Sequence, residues 1–289
     1  MIERLCIIGV GLIGGSLARA LRDAGACREV VGAGRNAGNL QTAVELGVID
    51  RYDTSLAQAV SGADMVVVCV PLGAMEGVFK AIKGRLADDV VLTDVGSAKG
   101  SVIEAAQRAF GSVPEFFVPG HPIAGTEQSG VEASFPGLYN DRRVILTPLP
   151  DTSAHATERV RDMWQVAGAQ VVNMNPAHHD AVLAATSHLP HLLAYSLVDT
   201  LARLDDNDEV FEYAAGGFRD FTRIASSDPV MWRDVCLANS DAILLMVECY
   251  INDLQVLSEA IRNHDGQQLL DVFSAAKAAR DRFIDKTTG

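Results

Sequence analysis

The 289-residue sequence is short of positive charge and of patterned cysteine. Lys and Arg number 24 against 37 Asp and Glu, a formal net charge of −13. Extended phosphate contact needs clustered basic side chains, so a nucleic-acid-binding surface is not expected. An anionic small molecule can still be held, through a local basic or dipolar pocket. The 5 cysteines, Cys6, Cys27, Cys69, Cys236 and Cys249, show no C-x-x-C spacing. An odd, scattered set in a chain able to build its own core points away from a disulfide framework and from zinc. The N-terminal MIERLCIIGVG enters an apolar run at once, without a cleavable signal pattern. No apolar run approaches the ~18 residues of a membrane span. A cytoplasmic protein with neither a membrane nor a nucleic-acid partner is expected. What is present, 48% hydrophobic and 21% charged residues, is the composition of a folded protein. The length suits two domains or one large one.

The first half alternates short β-rich runs with stretches of helical pattern. Strand candidates are Leu5–Val10, Glu29–Ala33, Met65–Val70, Val90–Thr93, Phe116–Val118, Arg143–Leu146 and Gln170–Val172. Their brevity and Val/Ile content suit buried parallel strands. Helical segments such as Gly14–Ala24 and Leu72–Arg85 lie between them. This alternation implies right-handed crossovers and a Rossmann-like doubly wound α/β sheet. After Met174 the β-rich runs vanish, and the rest reads as all-α. Leu189, Leu193, Leu197, Leu201 and Leu204 recur at helical spacing, and a second long helix opens at Asp228-Pro229. Both helices are apolar on more than one face, which requires burial in a large core or against another subunit. The expected division is a dinucleotide-binding domain over residues 1–174 and a helical substrate and dimerisation domain over 175–289, assembled as a homodimer.

Gly9-x-Gly11-x-x-Gly14 follows the first strand and opens the first helix. Gly9 permits the tight turn, Gly11 lets a pyrophosphate approach the backbone, and Gly14 lets helix and strand pack closely. Free N–H groups at the helix start complete the cradle, so Gly9, Gly11, Leu12, Ile13 and Gly14 are the candidate cofactor contacts. At the end of the second strand, an acidic residue would accept from the adenosine ribose. The sequence offers Gly-Ala-Gly-Arg-Asn, and Arg35 suits a 2′-phosphate. NADP is preferred over NAD on this ground; the alternative is a surface arginine after a glycine turn.

Four segments carry chemistry. Asp94-Val-Gly-Ser-Ala-Lys99 follows the strand VVLT at the carboxyl edge where such sheets place ligands. Ser101-Val-Ile-Glu104 fits a capping box, which leaves the Ser97 hydroxyl free, and Lys99 is a candidate cofactor contact. His121, bracketed by Pro119 and Pro122, projects from a strand end, poorly placed for the core, with an ordinary pKa near ~6.5 suited to proton transfer. The alternative is a histidine that only orders the loop. In Ala185-Thr-Ser-His-Leu-Pro-His191, Ser187 and His191 share a helix face, and Pro190 frees the Thr186 carbonyl. These polar groups need partners, either bound substrate or water, or one another in a packing cluster. No carboxylate falls at ligand spacing within this run, so no metal is expected. His178 and His179 beside Asp180 read as structural. Arg219 and Arg223, beside Gly-Gly and phenylalanines, suggest a carboxylate clamp, with Arg219 the more structural of the two. Trp232 either walls a cavity or fills an interface.

Together GVGLIGGS, DVGSAK, HPIAGTEQSG, ATSHLPH and GFRDFTRIASSDPxMW, in this order over nearly the whole chain, resemble the prephenate/arogenate dehydrogenases of tyrosine biosynthesis. The resemblance implies NAD(P)-dependent oxidative decarboxylation of a cyclohexadienol. It also implies that His121 takes the ring-hydroxyl proton and that Ser97 orients that hydroxyl. Arg223 would hold a substrate carboxylate, from its own subunit or across a dimer. Thr126, Ser187 and His191 would line the side-chain pocket, with Trp232 nearby. Absence of a mutase extension or regulatory domain implies no allosteric tyrosine control through such a domain. Two other readings fit the same plan. One is a β-hydroxyacid dehydrogenase, a family that generally has a lysine where this chain presents His121, or an imine reductase; the other is a non-catalytic NADP-sensing protein.

Overall fold

The computed structural model describes residues 1–204 and 207–287; residues 205, 206, 288 and 289 of the helical half lie outside it. Its contacts divide the chain into two compact units, Met1–Ser240 and Asp241 onward.

In the first unit the alternation runs β1 (Ile2–Ile8), α1 (Leu12–Asp23), β2 (Cys27–Ala33), α2 (Ala37–Glu45), β3 (Arg51–Asp53), α3 (Leu56–Ala59), β4 (Met65–Val68), α4 (Met75–Ile82), β5 (Val91–Asp94), α5 (Lys99–Phe110) and β6 (Phe117–Val118). These six strands form one parallel sheet in the order β3-β2-β1-β4-β5-β6. Alternate residues of β1 face opposite layers. Leu5 and Ile7 pack with Leu17 and Leu21 of α1, while Cys6 and Ile8 pack with Phe79 and Ile82 of α4. Both faces are covered by helices, as an all-parallel sheet requires. The strand order reverses between β1 and β4, and ligands of such sheets bind at the carboxyl end of that switch.

A second, three-stranded sheet follows the order β7-β8-β9. It contains β7 (Gly120–Pro122), β8 (Arg143–Leu146) and, after α6 (Ala154–Val166), β9 (Gln170–Asn173). The expectation that the last two belong to the main sheet is corrected: β8 pairs antiparallel with β7 and parallel with β9. Two strands, β3 and β7, carry no sequence signal; one is short and polar, the other contains Gly120 and Pro122.

From α7 (Pro176–Leu183) onward the chain is helical. A π-helical segment, Ala184–His188, leads into α8 (Leu189–Ala202). Pro190 has no N–H to give the preceding turn, and the ladder widens into the π-helical turn just before it. The sequence has no purely apolar run of membrane-span length, yet Pro176–Ala202 is long and apolar enough to cross a membrane by length and composition. Thr186, Ser187, His188, Pro190 and His191 interrupt the apolar run but carry no formal charge at neutral pH. α9 (Asn207–Glu212), α10 (Gly216–Thr222) and α11 (Pro229–Ala238) complete this unit. Asp228 caps α11 through the amides of Val230 and Met231, with Pro229 at its first position. The long helix expected from this point instead breaks at Asn239.

The second unit consists of α12 (Ser240–Arg262) and α13 (Gly266–Thr287). Leu244, Leu245, Ile251, Leu254, Val256 and Ile261 of α12 are exposed, a row of apolar side chains at helical spacing.

Candidate active site

The glycine loop has the geometry its spacing predicts. Gly9 has φ 96°, and a Cβ there would meet the Cys69 carbonyl oxygen at 2.3 Å, so only glycine fits. A Cβ on Gly14 would lie 2.6 Å from the Gly9 carbonyl oxygen and 2.7 Å from Ile7 Cγ2, because α1 crosses β1 closely. A Cβ on Gly11 would meet no atom of the described residues within 4 Å, and α1 begins there with no side chain capping its amides. Leu12 and Ile13 form the first turn, where the Tyr139 hydroxyl donates to the Ile13 carbonyl at 2.6 Å. Arg35 is exposed after β2, next to Asn36, which caps α2 through the Asn39 amide.

At the end of β5, Asp94 gathers three donors. Lys99 Nζ donates to Oδ2 at 2.6 Å, the Gly96 amide to Oδ2 at 2.7 Å, and the Gly120 amide to Oδ1 at 3.1 Å. Lys99 Nζ also donates to the Gly120 carbonyl at 2.5 Å. The Lys99 side chain has no exposed surface, which corrects its reading as a cofactor contact: its ammonium ties the Ser97 loop to the His121 strand. Burial pushes its pKa down, with the Asp94 carboxylate acting in the opposite sense.

The helix after this loop starts at Lys99, so Ser101 is not its cap. The cap comes from 80 residues away: Asp180 accepts from the Lys99 amide through Oδ1 and from the Gly100 amide through Oδ2, both at 2.8 Å. Ser101 Oγ turns back to the Ala98 carbonyl, and Ser97 remains half-buried in the loop ahead of the helix.

His121 lies in β7 and is 8% exposed, not projecting free of the core as its sequence context suggests. Its Nδ1 is 2.9 Å from His179 Nε2, and the two rings meet edge to face. His179 Nδ1 in turn faces Asp180 Oδ1 at 2.8 Å. Burial, and then the charges that His179, Lys99 and His188 bring, hold the His121 pKa well below 6.5. The ring is therefore neutral at pH 7. Burial pushes the Asp180 carboxyl up, but hydrogen bonds from His179 and from the Lys99 and Gly100 amides outweigh it and keep it below the usual carboxylate range.

His188 is 1% exposed and its Nδ1 accepts from Asn239 Nδ2 at 3.1 Å; the same amide donates to the Asp180 carbonyl at 2.9 Å. These two partners explain the break between α11 and α12. Burial lowers the His188 pKa to about 4, against the pull of Asp180. His191 Nδ1 donates to the Ser187 carbonyl at 2.8 Å, and its ring stacks on Trp232 with centroids 3.6 Å apart. The buried Trp232 Nε1–H has no hydrogen-bond partner among the described residues, and His188 interacts with the Ser97 backbone.

Arg223 and Thr126 sit at the edge. Arg223 pairs with Glu127, and both side chains are exposed. Thr126 is exposed and its hydroxyl exchanges hydrogen bonds with the Gln128 backbone. Arg219 is likewise exposed. The structure thus adds Asp94, His179, Asp180, His188 and Asn239 to the residues singled out from sequence. The signal available for the third was an acidic residue beside a histidine pair, but which histidine turns inward depends on how α7 docks on α5.

Residues 17–173 match the family described as prephenate dehydrogenase, nucleotide-binding domain, and residues 175–275 that described as prephenate dehydrogenase, dimerization domain. The chain belongs to the prephenate dehydrogenase family. A cyclohexadienyl dehydrogenase of Zymomonas mobilis is 39% identical over 283 residues, covering 96% of this chain and 95% of that protein. The Bacillus subtilis prephenate dehydrogenase is 34% identical, over 97% of this chain and 76% of its own length. Among solved structures, prephenate dehydrogenase from Aquifex aeolicus in complex with hydroxyphenyl propionate and NAD+ is 36% identical, with a TM-score of 0.91 over 98% of this chain and 99% of that one. Membership of this dehydrogenase family makes the nucleotide-binding half a nicotinamide-cofactor domain.

Proposed function

We propose that this chain oxidatively decarboxylates prephenate and/or arogenate, giving 4-hydroxyphenylpyruvate and/or tyrosine, with NAD(P) as the oxidant. The observation that carries the reading is a neutral, almost fully buried His121 at the carboxyl edge of the sheet, in a chain related to these dehydrogenases along nearly its whole length.

The loop fits a dinucleotide. Gly9 turns against the Cys69 carbonyl, Gly11 leaves open space at the start of α1, and the backbone of Gly9, Gly11, Leu12, Ile13 and Gly14 would hold the pyrophosphate. The bound nicotinamide supplies a hydride acceptor. Around it, His121 Nε2 takes the proton of the ring hydroxyl, and Ser97 orients that hydroxyl. As the proton leaves the oxygen and a hydride leaves the carbon that bears it, the hydroxyl carbon would become a carbonyl. That carbonyl accepts the electron pair of the bond to the ring carboxylate, carbon dioxide departs, and aromatisation drives the step. Arg223 holds the substrate carboxylate, for which it must exchange Glu127 as its partner. Thr126, Ser187, His191 and Trp232 line the side-chain pocket, where the Trp232 N–H, without a partner among the described residues, serves as a donor.

NADP is the preferred oxidant because the exposed Arg35 follows β2 where a ribose-binding carboxylate would stand. NAD is the alternative, and it is the cofactor in the Aquifex relative's structure. The division at 174/175, between the two family matches, is taken as the functional one. The dimerization-domain match and the exposed apolar row on α12 support a homodimer through the helical part. The cysteines Cys6, Cys27, Cys69, Cys236 and Cys249 are all free thiols, which supports a cytoplasmic site.

The test is a two-by-two assay of NADP or NAD with prephenate or arogenate, followed at the reduced-nicotinamide absorbance. A rise in at least one combination is expected; four flat traces with folded protein overturn the reading.

A further inference from the structure

We infer that His179 and Asp180 are positioning residues that fix the tautomer of His121, so that its Nε2 is the bare nitrogen facing the substrate. The inference rests on His121 being the proton acceptor of the proposed reaction.

The argument starts from the carboxylate. Asp180 lies at the N-terminus of α5 and takes both helix amides, so it is held as an ion. An ionised carboxylate only accepts, so the nitrogen of His179 that faces it at 2.8 Å, Nδ1, carries a hydrogen. For His121 to take the hydroxyl proton at its Nε2, His179 Nε2 must be the bare acceptor of the contact between the two rings. That bare nitrogen lies 2.9 Å from His121 Nδ1, a contact that is a hydrogen bond only if His121 donates. His121 therefore carries its hydrogen on Nδ1 and presents a lone pair at Nε2. Among the described residues nothing hydrogen-bonds that Nε2. Without this chain of contacts, the His121 tautomers would be free to exchange, and the Nε2–H form cannot take a proton.

The same contacts act during the step. When His121 Nε2 takes the hydroxyl proton, the imidazolium keeps its Nδ1–H on His179, and the new charge lies along a line ending at the Asp180 carboxylate. No proton has to move beyond His121. The Lys99 ammonium opposes that charge, so the Asp180 end of the line is the compensating one. His179 has no exposed surface and cannot touch substrate directly; its effect reaches the reaction through His121.

The test reads the tautomer itself. Long-range proton–nitrogen NMR spectra of nitrogen-15-histidine-labelled, substrate-free protein at pH 7.5 are compared for the unmodified chain, Asp180→Asn and, for assignment, His121→Asn. His121 is expected to be Nδ1-protonated in the unmodified chain and to shift towards Nε2–H in Asp180→Asn, whose carboxamide can donate to His179. An Nε2–H form in the unmodified chain, or no change in Asp180→Asn, overturns the inference. Because Asp180 also caps α5, a second pair of variants avoids dependence on that cap. His179→Phe fills the space without accepting, and is expected to lower kcat by ~10–10²-fold with KM changed less than about two-fold. His179→Gln can place a carboxamide oxygen at the Nε2 position and is expected to recover part of that loss. Unchanged kcat in His179→Phe, or equal losses in the two variants, overturns it. The spectra are recorded without substrate, so they can fail while dehydrogenase activity stands, and the activity assay can fail while the tautomer stands.

Discussion

Gly11 and Gly14 separate folding from cofactor binding within one loop, and a single added methyl at each makes opposite predictions. At Gly14 the new Cβ would meet the Gly9 carbonyl at 2.6 Å and Ile7 at 2.7 Å, both fixed by β1 and the turn. Neither can yield without moving α1 off the sheet, so Gly14→Ala carries an overpacking cost of roughly 1–3 kcal/mol. In a domain of this size each kcal/mol moves Tm by about 2–4 °C, so a fall of at least about 2 °C is expected by differential scanning fluorimetry without ligand. At Gly11 the Cβ meets nothing within 4 Å, and the backbone, at φ −110° and ψ −151°, is open to alanine. Gly11→Ala should leave Tm within about 1 °C of the parent. A pyrophosphate lying against that α-carbon would collide with the methyl, so the Kd for NADP or NAD, measured by calorimetry, should rise at least about ten-fold, or ~1.4 kcal/mol. Unaltered cofactor affinity in Gly11→Ala would show that the phosphates lie elsewhere. An unaltered Tm in Gly14→Ala would refute the close helix–strand crossing.

Three further outcomes are expected. His121→Asn should lower kcat by ~10²–10⁴-fold while the cofactor Kd stays within about two-fold; unchanged turnover removes His121 from the proton-transfer role. Arg223→Ala should raise the substrate KM with little effect on folding, since its ion pair with Glu127 is exposed on both sides; an unmoved KM contradicts the carboxylate clamp. The neutral, buried His188, with its pKa near 4 against an unfolded value near ~6.5, binds fewer protons folded than unfolded, so its contribution is complete above pH 6.5 and is lost as pH falls towards 4. The loss amounts to about 3 kcal/mol, and urea titrations of His188→Asn should show a correspondingly shallower fall in stability between these pH values; identical slopes would refute it.

The features legible in the sequence are those whose causes are local. The glycine spacing, the Val-rich strands and the Asp228-Pro229 helix start each depend on residues within a turn of one another, and each appears where expected. The features that were not legible have partners far along the chain. Ser101-Val-Ile-Glu104 has a capping-box pattern, but the helix begins earlier because Asp180 supplies its cap across the fold. The apolar run after Pro229 has no breaker, yet it stops at Asn239, whose amide is drawn to the Asp180 carbonyl and to His188. Lys99 is a basic residue in a loop at a nucleotide cleft, and only the fold shows that Asp94 and the Gly120 carbonyl have claimed its ammonium. His178 and His179 look alike in the sequence; α7 leaves the first exposed and turns the second onto His121.

Two buried carboxylates account for the remaining precision of the site. Asp94, at the end of a central strand, fixes the amides of Gly96 and Gly120 and so sets the Ser97 loop against the strand that carries His121. Asp180, in the first helix of the family's dimerization-domain segment, fixes the amides of Lys99 and Gly100 and the ring behind His121. Lys99 belongs to both sets, its ammonium on one carboxylate and its amide on the other. A residue with such a position gains little stability from burial of its charge, because desolvation offsets most of the attraction. What the arrangement provides is geometry: a change in how α7 sits on α5 would reach His121 through His179 and reach Ser97 through Lys99 at once. Placement of the helical segment and arrangement of the proposed catalytic groups are therefore coupled through these contacts, and the proposed proton acceptor takes its orientation from that segment.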